Sequence, residues 1–115
     1  IRLIESDGLA ACPGPYDLIV CNPPYVNAAS MAALPPEFRA EPALALAGGA
    51  DGMDFIRPLL RQAPAHLNAG GVLVLEIGHE RAHFDAAFPQ LQPVWLDTSA
   101  GDAQVLLLTR ETLAP

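Results

Sequence analysis

The sequence contains no lysine, and this absence restricts the partners that the chain is expected to bind. Its six cationic side chains are all Arg, and they stand against thirteen carboxylates, which gives a net charge of −7. Scattered Arg residues without a basic run do not supply the surface that a phosphate backbone requires. We therefore expect no direct binding of DNA by this segment. An acidic surface suits a basic protein partner, or simply solubility.

Long apolar runs and leader signals are also missing. No run approaches the roughly 20 apolar residues that span a bilayer, so we expect no membrane association. The first residues lack a basic stretch followed by an apolar run and a cleavage site, and Ile1 is not an initiator Met. We interpret this as a cut or processed chain. Cys12 and Cys21 have neither a metal-binding nor a redox spacing, so a reducing, cytoplasmic setting is expected.

The pattern of apolar segments predicts an α/β fold. Residues 1–4, Tyr16–Cys21 and residues 72–77 are typical of strands, and residues 94–97 with residues 104–109 predict an antiparallel hairpin. The continuous run from Leu18 to Cys21 predicts a strand that is buried on both faces, as in a parallel sheet. We therefore expect a mostly parallel sheet that ends in an antiparallel hairpin.

Two helices are predicted between these strands. Phe55, Leu59, Ala63 and Leu67 recur every four residues and form one core-facing stripe, with Ile56 and Leu60 beside it. We place the N-cap of this helix at Asp54 and its end at residues 68–71. Residues 80–88 predict the second helix, and residues 30–34 are compatible with a short one.

The segment with the clearest chemistry is Asn22-Pro23-Pro24-Tyr25, which directly follows a predicted strand. Ligands of open α/β sheets bind beyond the carboxyl ends of strands. The Asn22 amide oxygen and the Pro23 carbonyl can accept the two N–H bonds of a planar amino group, and so hold its nitrogen towards an electrophilic methyl group. Tyr25 can stack on the flat target group. The plain alternative is a turn after a strand, with Tyr25 as a packing residue.

Residues 16–26 (YDLIVCNPPYV) resemble the fourth motif of class I amino-methyltransferases, which include adenine-N6 DNA methylases. Residues 41–49, 51–54 and 75–78 resemble the HemK-like protein-(glutamine-N5) methyltransferase family. Residues 34–39, 78–81 and 100–111 narrow the resemblance to the branch that methylates a large-subunit ribosomal protein. The branch that methylates peptide chain release factors is the near alternative.

The resemblance implies S-adenosylmethionine as cofactor and assigns the site. Asn22, Pro23, Pro24 and Tyr25 correspond to the catalytic positions that hold the glutamine amide, and Asn22 also lies beside the cofactor's methionine portion. Asp7, at the end of the first predicted strand, corresponds to the acidic position that binds the adenine amino group. Gly8 and Leu9 add backbone contacts there. Alternatively, Asp7 is a turn residue or a helix cap.

One departure from the family pattern concerns the cofactor. No glycine-rich cofactor loop of the G-x-G-x-x-G kind is present, so residues 1–115 correspond to a partial, C-terminal portion of a class I, Rossmann-like catalytic domain. The family's sheet order places two further strands between the first two predicted here. We therefore expect the chain alone to be inactive. We also expect it to rearrange its first strand, to associate with another chain or to keep an exposed strand edge.

Two alternatives come from other classes of protein. Residues 79–83 (HERAH) match the zinc-binding pattern H-E-x-x-H, but His79 falls in the predicted turn before the helix, and Glu111 is the only downstream His or Glu. We expect no metal. A non-catalytic module that binds a basic ribosomal surface is the third possibility.

Overall fold

The computed structural model describes residues 1–25 and 47–114. Within these ranges the order of elements is β1 (Tyr16–Cys21), α1 (Ile56–His66), β2 (Leu67–Glu76), α2 (Arg81–Ala87), β3 (Val94–Thr98), β4 (Gly101–Thr109) and α3 (Arg110–Leu113). The short helix considered for residues 30–34 and the family-like residues 34–39 lie outside the described residues, as does most of the 41–49 segment. No helix in the described ranges is long and apolar enough to span a membrane.

The sheet is mixed, with the strand order β1-β2-β4-β3. Strand β1 runs parallel to β2, whereas β4 is antiparallel to both β2 and β3. The predicted terminal hairpin is therefore confirmed, but the mostly parallel sheet is not, since only one of these pairings is parallel. The hairpin strands also extend further than predicted, because Thr98 already pairs with Gly101 and leaves Ser99 and Ala100 as the connection.

The prediction of a strand at residues 1–4 is wrong, because these residues have no regular structure and Ile1 and Leu3 are exposed. A strand needs a neighbour for its backbone N–H and C=O groups, and the four described strands leave this segment out. As a result β1 lies at the edge of the sheet, where Leu18 is 55% and Val20 70% exposed. The prediction of burial on both faces is therefore also wrong. Within β1, only Ile19 and Cys21 pack against the core.

This one-sided burial of β1 leads to a stability prediction. Val20→Thr should leave the free energy of unfolding of the chain within about 0.5 kcal/mol of wild type, because the side chain is exposed and Thr suits a strand. Ile19→Thr, on the opposite face of the same strand, should lower it by about 1 kcal/mol. Urea titrations of both variants provide the measurement. Equal losses would show that both faces of β1 are buried.

The core lies between the sheet and α1. The predicted stripe is confirmed at Leu59 and Ala63, whereas Phe55 precedes the helix and Leu67 belongs to β2. Ile56, Leu59, Leu60 and Ala63 are buried and pack with side chains of β2 and β4, which include Leu73, Leu75, Leu106 and Leu108. The predicted N-cap is wrong: Phe55 takes this position without a side-chain cap hydrogen bond, and the helix ends at His66. Residues 68–71 belong to β2, which starts at Leu67 rather than at residue 72.

Helix α2 has nearly the predicted bounds, and it covers the hairpin end of the sheet. Its buried Phe84 contacts Phe88 and the edge of Trp95, with ring centroids 4.9 and 6.1 Å away. Arg81 lies over the Trp95 ring at 4.5 Å from its centroid. These contacts hold α2 against Trp95 of β3, and the turn between β2 and α2 borders the candidate site.

Candidate functional site

The sequence motif singled out above forms a loop at the carboxyl end of β1. Cys21, the last residue of β1, pairs with Leu75 of β2, so Asn22, which follows β1, lies level with Glu76, the last residue of β2. Asn22 is exposed, whereas Pro23 is buried and Tyr25 is half-buried. The prolines restrict the backbone on either side of their peptide groups. The loop therefore exposes the Asn22 side chain to solvent while its backbone is restricted. Residues 22–25 are called the transfer loop.

The Tyr25 side chain lies over the turn that follows β2. A Cβ added to Gly78 would be 2.9 Å from both Cε2 and the hydroxyl oxygen of Tyr25, so a side chain at this position would displace the ring. The Tyr25 hydroxyl donates a hydrogen bond to the Glu76 carboxylate. Burial, this carboxylate and the charge of Glu80 together raise the pKa of Tyr25 above its usual value of 10.0. The phenol is therefore held neutral, as a donor.

The backbone of Tyr25 is enclosed on its other side by a glycine turn at residues 48–52. A Cβ on Gly48 would lie 2.7 Å from the Tyr25 Cα, and one on Gly52 would overlap the Tyr25 carbonyl oxygen. Gly52 also has φ +83°, in the region that favours glycine. The glycine turn thus fixes the position of Tyr25, the last residue of the transfer loop. It overlaps residues 41–49 and 51–54, the segments that resemble the HemK-like family.

Polar contacts at the start of α1 hold the glycine turn in place. The Asp54 amide donates to the Gly48 carbonyl at 2.9 Å, and the Met53 amide donates to Asp51 Oδ1 at 3.0 Å. Arg57 forms ion pairs with Asp51 and Asp54. The hydrogen bond from Arg57, followed by that from the Met53 amide, lowers the pKa of Asp51. Helix α1 therefore anchors the turn through charge-assisted hydrogen bonds.

The lowered pKa of Asp51 predicts an acid-dependent loss of stability. A carboxyl whose folded pKa is depressed stabilises the fold above its unfolded pKa, here near the ordinary 3.8, and loses this contribution as the pH falls through the folded pKa. Asp51→Asn should therefore lessen the fall in melting temperature from about pH 5 downward. Asp97→Asn, at an exposed strand position, is the matched control. Identical acid profiles for Asp51→Asn and wild type would contradict the assignment.

The residues proposed from the resemblance for cofactor binding lie elsewhere on the surface. Asp7 and Gly8 belong to a turn and line a small cavity of about 90 Å³ with residues of α1 and its N-terminus, among them Phe55, Pro58 and Gln62. Gly8 has φ +58°, and the Leu9 side chain is buried in the core rather than facing the cavity. Asn22 is not among the residues that line this cavity, so the described structure does not join it to Asp7 there.

The competing zinc pattern does not converge on a metal site. His79 lies in the turn before α2, outside the helix, and His83 Nδ1 pairs with the Glu80 carboxylate. In residues 1–25 and 47–114, no group of three His, Cys, Asp or Glu side chains is placed to hold a metal ion.

The sequence interpretation left out Glu76 and did not single out Gly52 or Gly78. The hydrogen bonds of Glu76 to Tyr25 and to the Gly78 amide become visible only in three dimensions. The signal available beforehand was position, because Glu76 lies near the carboxyl end of the predicted strand at residues 72–77, as Asn22 does beside the predicted strand Tyr16–Cys21. For Gly52 and Gly78 the available signal was their place in turn-like segments, where glycine often takes a positive φ.

No protein-family model matches the chain. Among curated proteins, it is 74% identical over 98 residues to a protein of Bordetella pertussis named "ribosomal protein uL3 glutamine methyltransferase", a match that covers 85% of this chain and 33% of that protein. Proteins of the same name from Neisseria gonorrhoeae and Burkholderia pseudomallei are 54% and 60% identical, over 98% and 81% of this chain.

The chain spans about a third of the length of these relatives, between 30% and 38% of each. Identity of this size over nearly the whole chain is far above what a shared fold alone produces. Over the part of their length that it spans, the chain is a homologue of the ribosomal protein uL3 glutamine methyltransferases.

Proposed function

We propose that the chain is part of an S-adenosylmethionine-dependent enzyme that methylates the side-chain amide nitrogen of a glutamine in ribosomal protein uL3. The observation that carries this proposal is the exposed Asn22 on a proline-braced loop at the carboxyl end of a parallel strand. The relatives' names support the ribosomal protein as substrate over a release factor. We further propose that residues 1–115 are a portion of a Rossmann-like class I catalytic domain that works in the cytoplasm.

The transfer loop would act by orienting the substrate amide. An amide nitrogen is a poor nucleophile because its lone pair is delocalised into the carbonyl group. Asn22 Oδ1 and the Pro23 carbonyl would accept its two N–H bonds, which fixes the direction of the nitrogen. Because Pro23 is buried and Pro24 restricts the backbone that follows, the carbonyl is aimed before the substrate binds. Asn22 and Pro23 would thus act by position and partial charge, without an acid or base of shifted pKa.

Tyr25 would flank the bound amide. Its hydroxyl is engaged by Glu76 and its half-buried ring packs beside Gly78 and the core, so the exposed part of the ring would face the planar group. Offset stacking of an amide on an aromatic ring is favourable and directional. The ring would limit rotation of the glutamine side chain between Asn22 and Pro23.

The described residues fit one part of the cofactor rather than all of it. Bound S-adenosylmethionine supplies the electrophilic methyl group. Asp7 offers a carboxylate that can accept a hydrogen bond from an adenine amino group, and Gly8 lines the same cavity. That cavity, about 90 Å³, is well below the roughly 300–1,000 Å³ of ligand pockets. We propose Asp7, Gly8 and Leu9 for the adenine end and Asn22 for the methionine end.

A substrate panel tests the proposed function. The full-length protein that contains this chain is incubated with isotopically labelled S-adenosylmethionine and, separately, with purified uL3, a peptide chain release factor or adenine-containing duplex DNA. The proposal predicts label in uL3 and a far slower reaction with the other two. Label in DNA alone would contradict it, and preference for the release factor would reassign the substrate.

A further inference from the structure

We propose that Glu76 is a positioning residue of the methyl-transfer site: its carboxylate holds the Tyr25 side chain and the Gly78 amide together, and so joins the transfer loop to the end of β2. This inference rests on the proposed function, because it assigns to Glu76 a part in aiming the loop that holds the substrate amide. Glu76 would act through Tyr25, without contact to the reacting atoms.

The first observation is the level at which the two strands end. Cys21 pairs with Leu75 in the parallel register, so Asn22, the first residue after β1, lies beside Glu76, the last residue of β2. On its other side Glu76 pairs with Val105 of β4, and the Ile77 amide donates to the Gln104 carbonyl at 2.8 Å. The backbone that carries the carboxylate is therefore held by the centre of the sheet.

The second observation is that two donors converge on one carboxylate. The Gly78 amide donates to Glu76 Oε1 at 2.8 Å, and the Tyr25 hydroxyl donates to the same side chain. The turn residue Gly78 has φ +57°. The Tyr25 ring occupies the space that a side chain at this position would need. A carboxylate has two acceptor oxygens for these two donors, whereas a carboxamide offers only one and adds an N–H group.

The third observation connects Tyr25 to the groups that would bind substrate. The Tyr25 backbone lies against Gly48 and Gly52, so a shift of its side chain cannot be absorbed by moving the main chain into that turn. On its N-terminal side Tyr25 follows Pro23 and Pro24, whose rings fix the φ angles. A shift of Tyr25 therefore moves the Pro23 carbonyl, because rotation about these bonds cannot absorb it. The direction of the Pro23 carbonyl is thereby linked to the position of the Tyr25 ring. Displacement of a reacting group by about 1 Å can cost about 10²-fold in rate.

The alternative is that Glu76 merely closes the β2–α2 turn through the Gly78 amide. In that case its removal would alter stability without an effect that depends on Tyr25. The two roles are separated by the ionisation of Tyr25 and by a double-mutant cycle.

The ionisation test needs no activity. In the full-length protein, the absorbance difference between wild type and Tyr25→Phe isolates the titration of Tyr25. The same difference between Glu76→Gln and Glu76→Gln/Tyr25→Phe should show Tyr25 ionising at lower pH, because a nearby negative charge and an acceptor have been lost. Glu76→Gln is nearly isosteric, and circular dichroism checks that it is folded. An unchanged titration of Tyr25 would overturn the proposal.

The kinetic test uses Glu76→Ala, Tyr25→Phe and the double variant, with labelled S-adenosylmethionine and uL3. Glu76→Ala should lower kcat by about tenfold or more, with a smaller effect on the KM for cofactor. In the Tyr25→Phe background the same substitution should cost clearly less. Equal losses in both backgrounds, or no loss at all, would overturn the proposal.

Glu111→Ala is the matched control for this cycle. Glu111 is an exposed carboxylate that also accepts a hydrogen bond from a glycine amide, that of Gly70, near the opposite end of β2. It should leave kcat unchanged. If Asn22→Ala also retained full activity while Tyr25 titrated as expected, the proposed function would fail but the Glu76–Tyr25 contact would stand.

Discussion

Replacing Asn22 with Ala is expected to lower kcat/KM for uL3 methylation by roughly 10²–10³-fold, the usual cost of removing one preorganised polar group that acts on the reacting centre. The side chain is exposed at the end of β1, so its removal leaves no cavity in the core. The melting temperature should therefore stay close to that of wild type. The measurement is transfer of labelled methyl groups to uL3 by the full-length protein.

Asn68→Ala is the matched control for this variant. Asn68 is also an exposed asparagine, in β2, but its side chain donates to Asp17 at 2.9 Å, near the other end of β1. Its replacement should leave kcat/KM within about twofold of wild type, as expected for a surface site away from the chemistry. Full activity of Asn22→Ala together with unchanged binding of uL3 would favour the non-catalytic binding module.

The second large effect is expected at Gly52, which packs against the Tyr25 backbone at the end of the transfer loop. In Gly52→Ala the new Cβ would overlap the Tyr25 carbonyl oxygen, so the loop or the glycine turn has to move. The residue also has φ +83°, which costs an alanine about 1–2 kcal/mol. We expect kcat to fall by about 10²-fold, because a displacement of about 1 Å misaligns the amide acceptors. Methyl-transfer kinetics and thermal unfolding measure the two parts of this effect.

Gly70→Ala separates backbone strain from displacement of the loop. Gly70 has φ +77°, close to that of Gly52, but a Cβ there would meet nothing within 4 Å. This variant should show a comparable loss of stability from the positive φ and no loss of kcat. If both variants lost stability alike and both kept their activity, the contact between Gly52 and Tyr25 would have no part in catalysis.

The sequence predicted the elements that depend on local patterns. The four-residue spacing of apolar side chains gave helix α1 its buried face, and turn residues between two short apolar runs indicated the β3–β4 hairpin. The range predicted for the first buried strand, Tyr16–Cys21, has the bounds of β1. In each case the physical cause lies within a few residues of the feature.

The failures concern contacts between distant parts of the chain. The segment at residues 1–4 has a strand-like composition, but a strand requires a hydrogen-bonding neighbour, and no local pattern reveals whether one is present. The same missing neighbour exposes Leu18 and Val20, which a run of apolar residues predicts to be buried. Glu76 was likewise left out of the site, because its contact with Tyr25 depends on the register between β1 and β2.

The most direct test of the transfer loop is the mass of uL3 from cells in which the gene for the full-length protein is deleted. The cells are complemented with wild type, Asn22→Ala or Asn68→Ala, and fragment masses locate any added methyl group. We expect one methyl group on a glutamine side-chain nitrogen of uL3 with wild type and Asn68→Ala, and unmodified uL3 with Asn22→Ala. Methylation of that glutamine by Asn22→Ala at the wild-type level would contradict it.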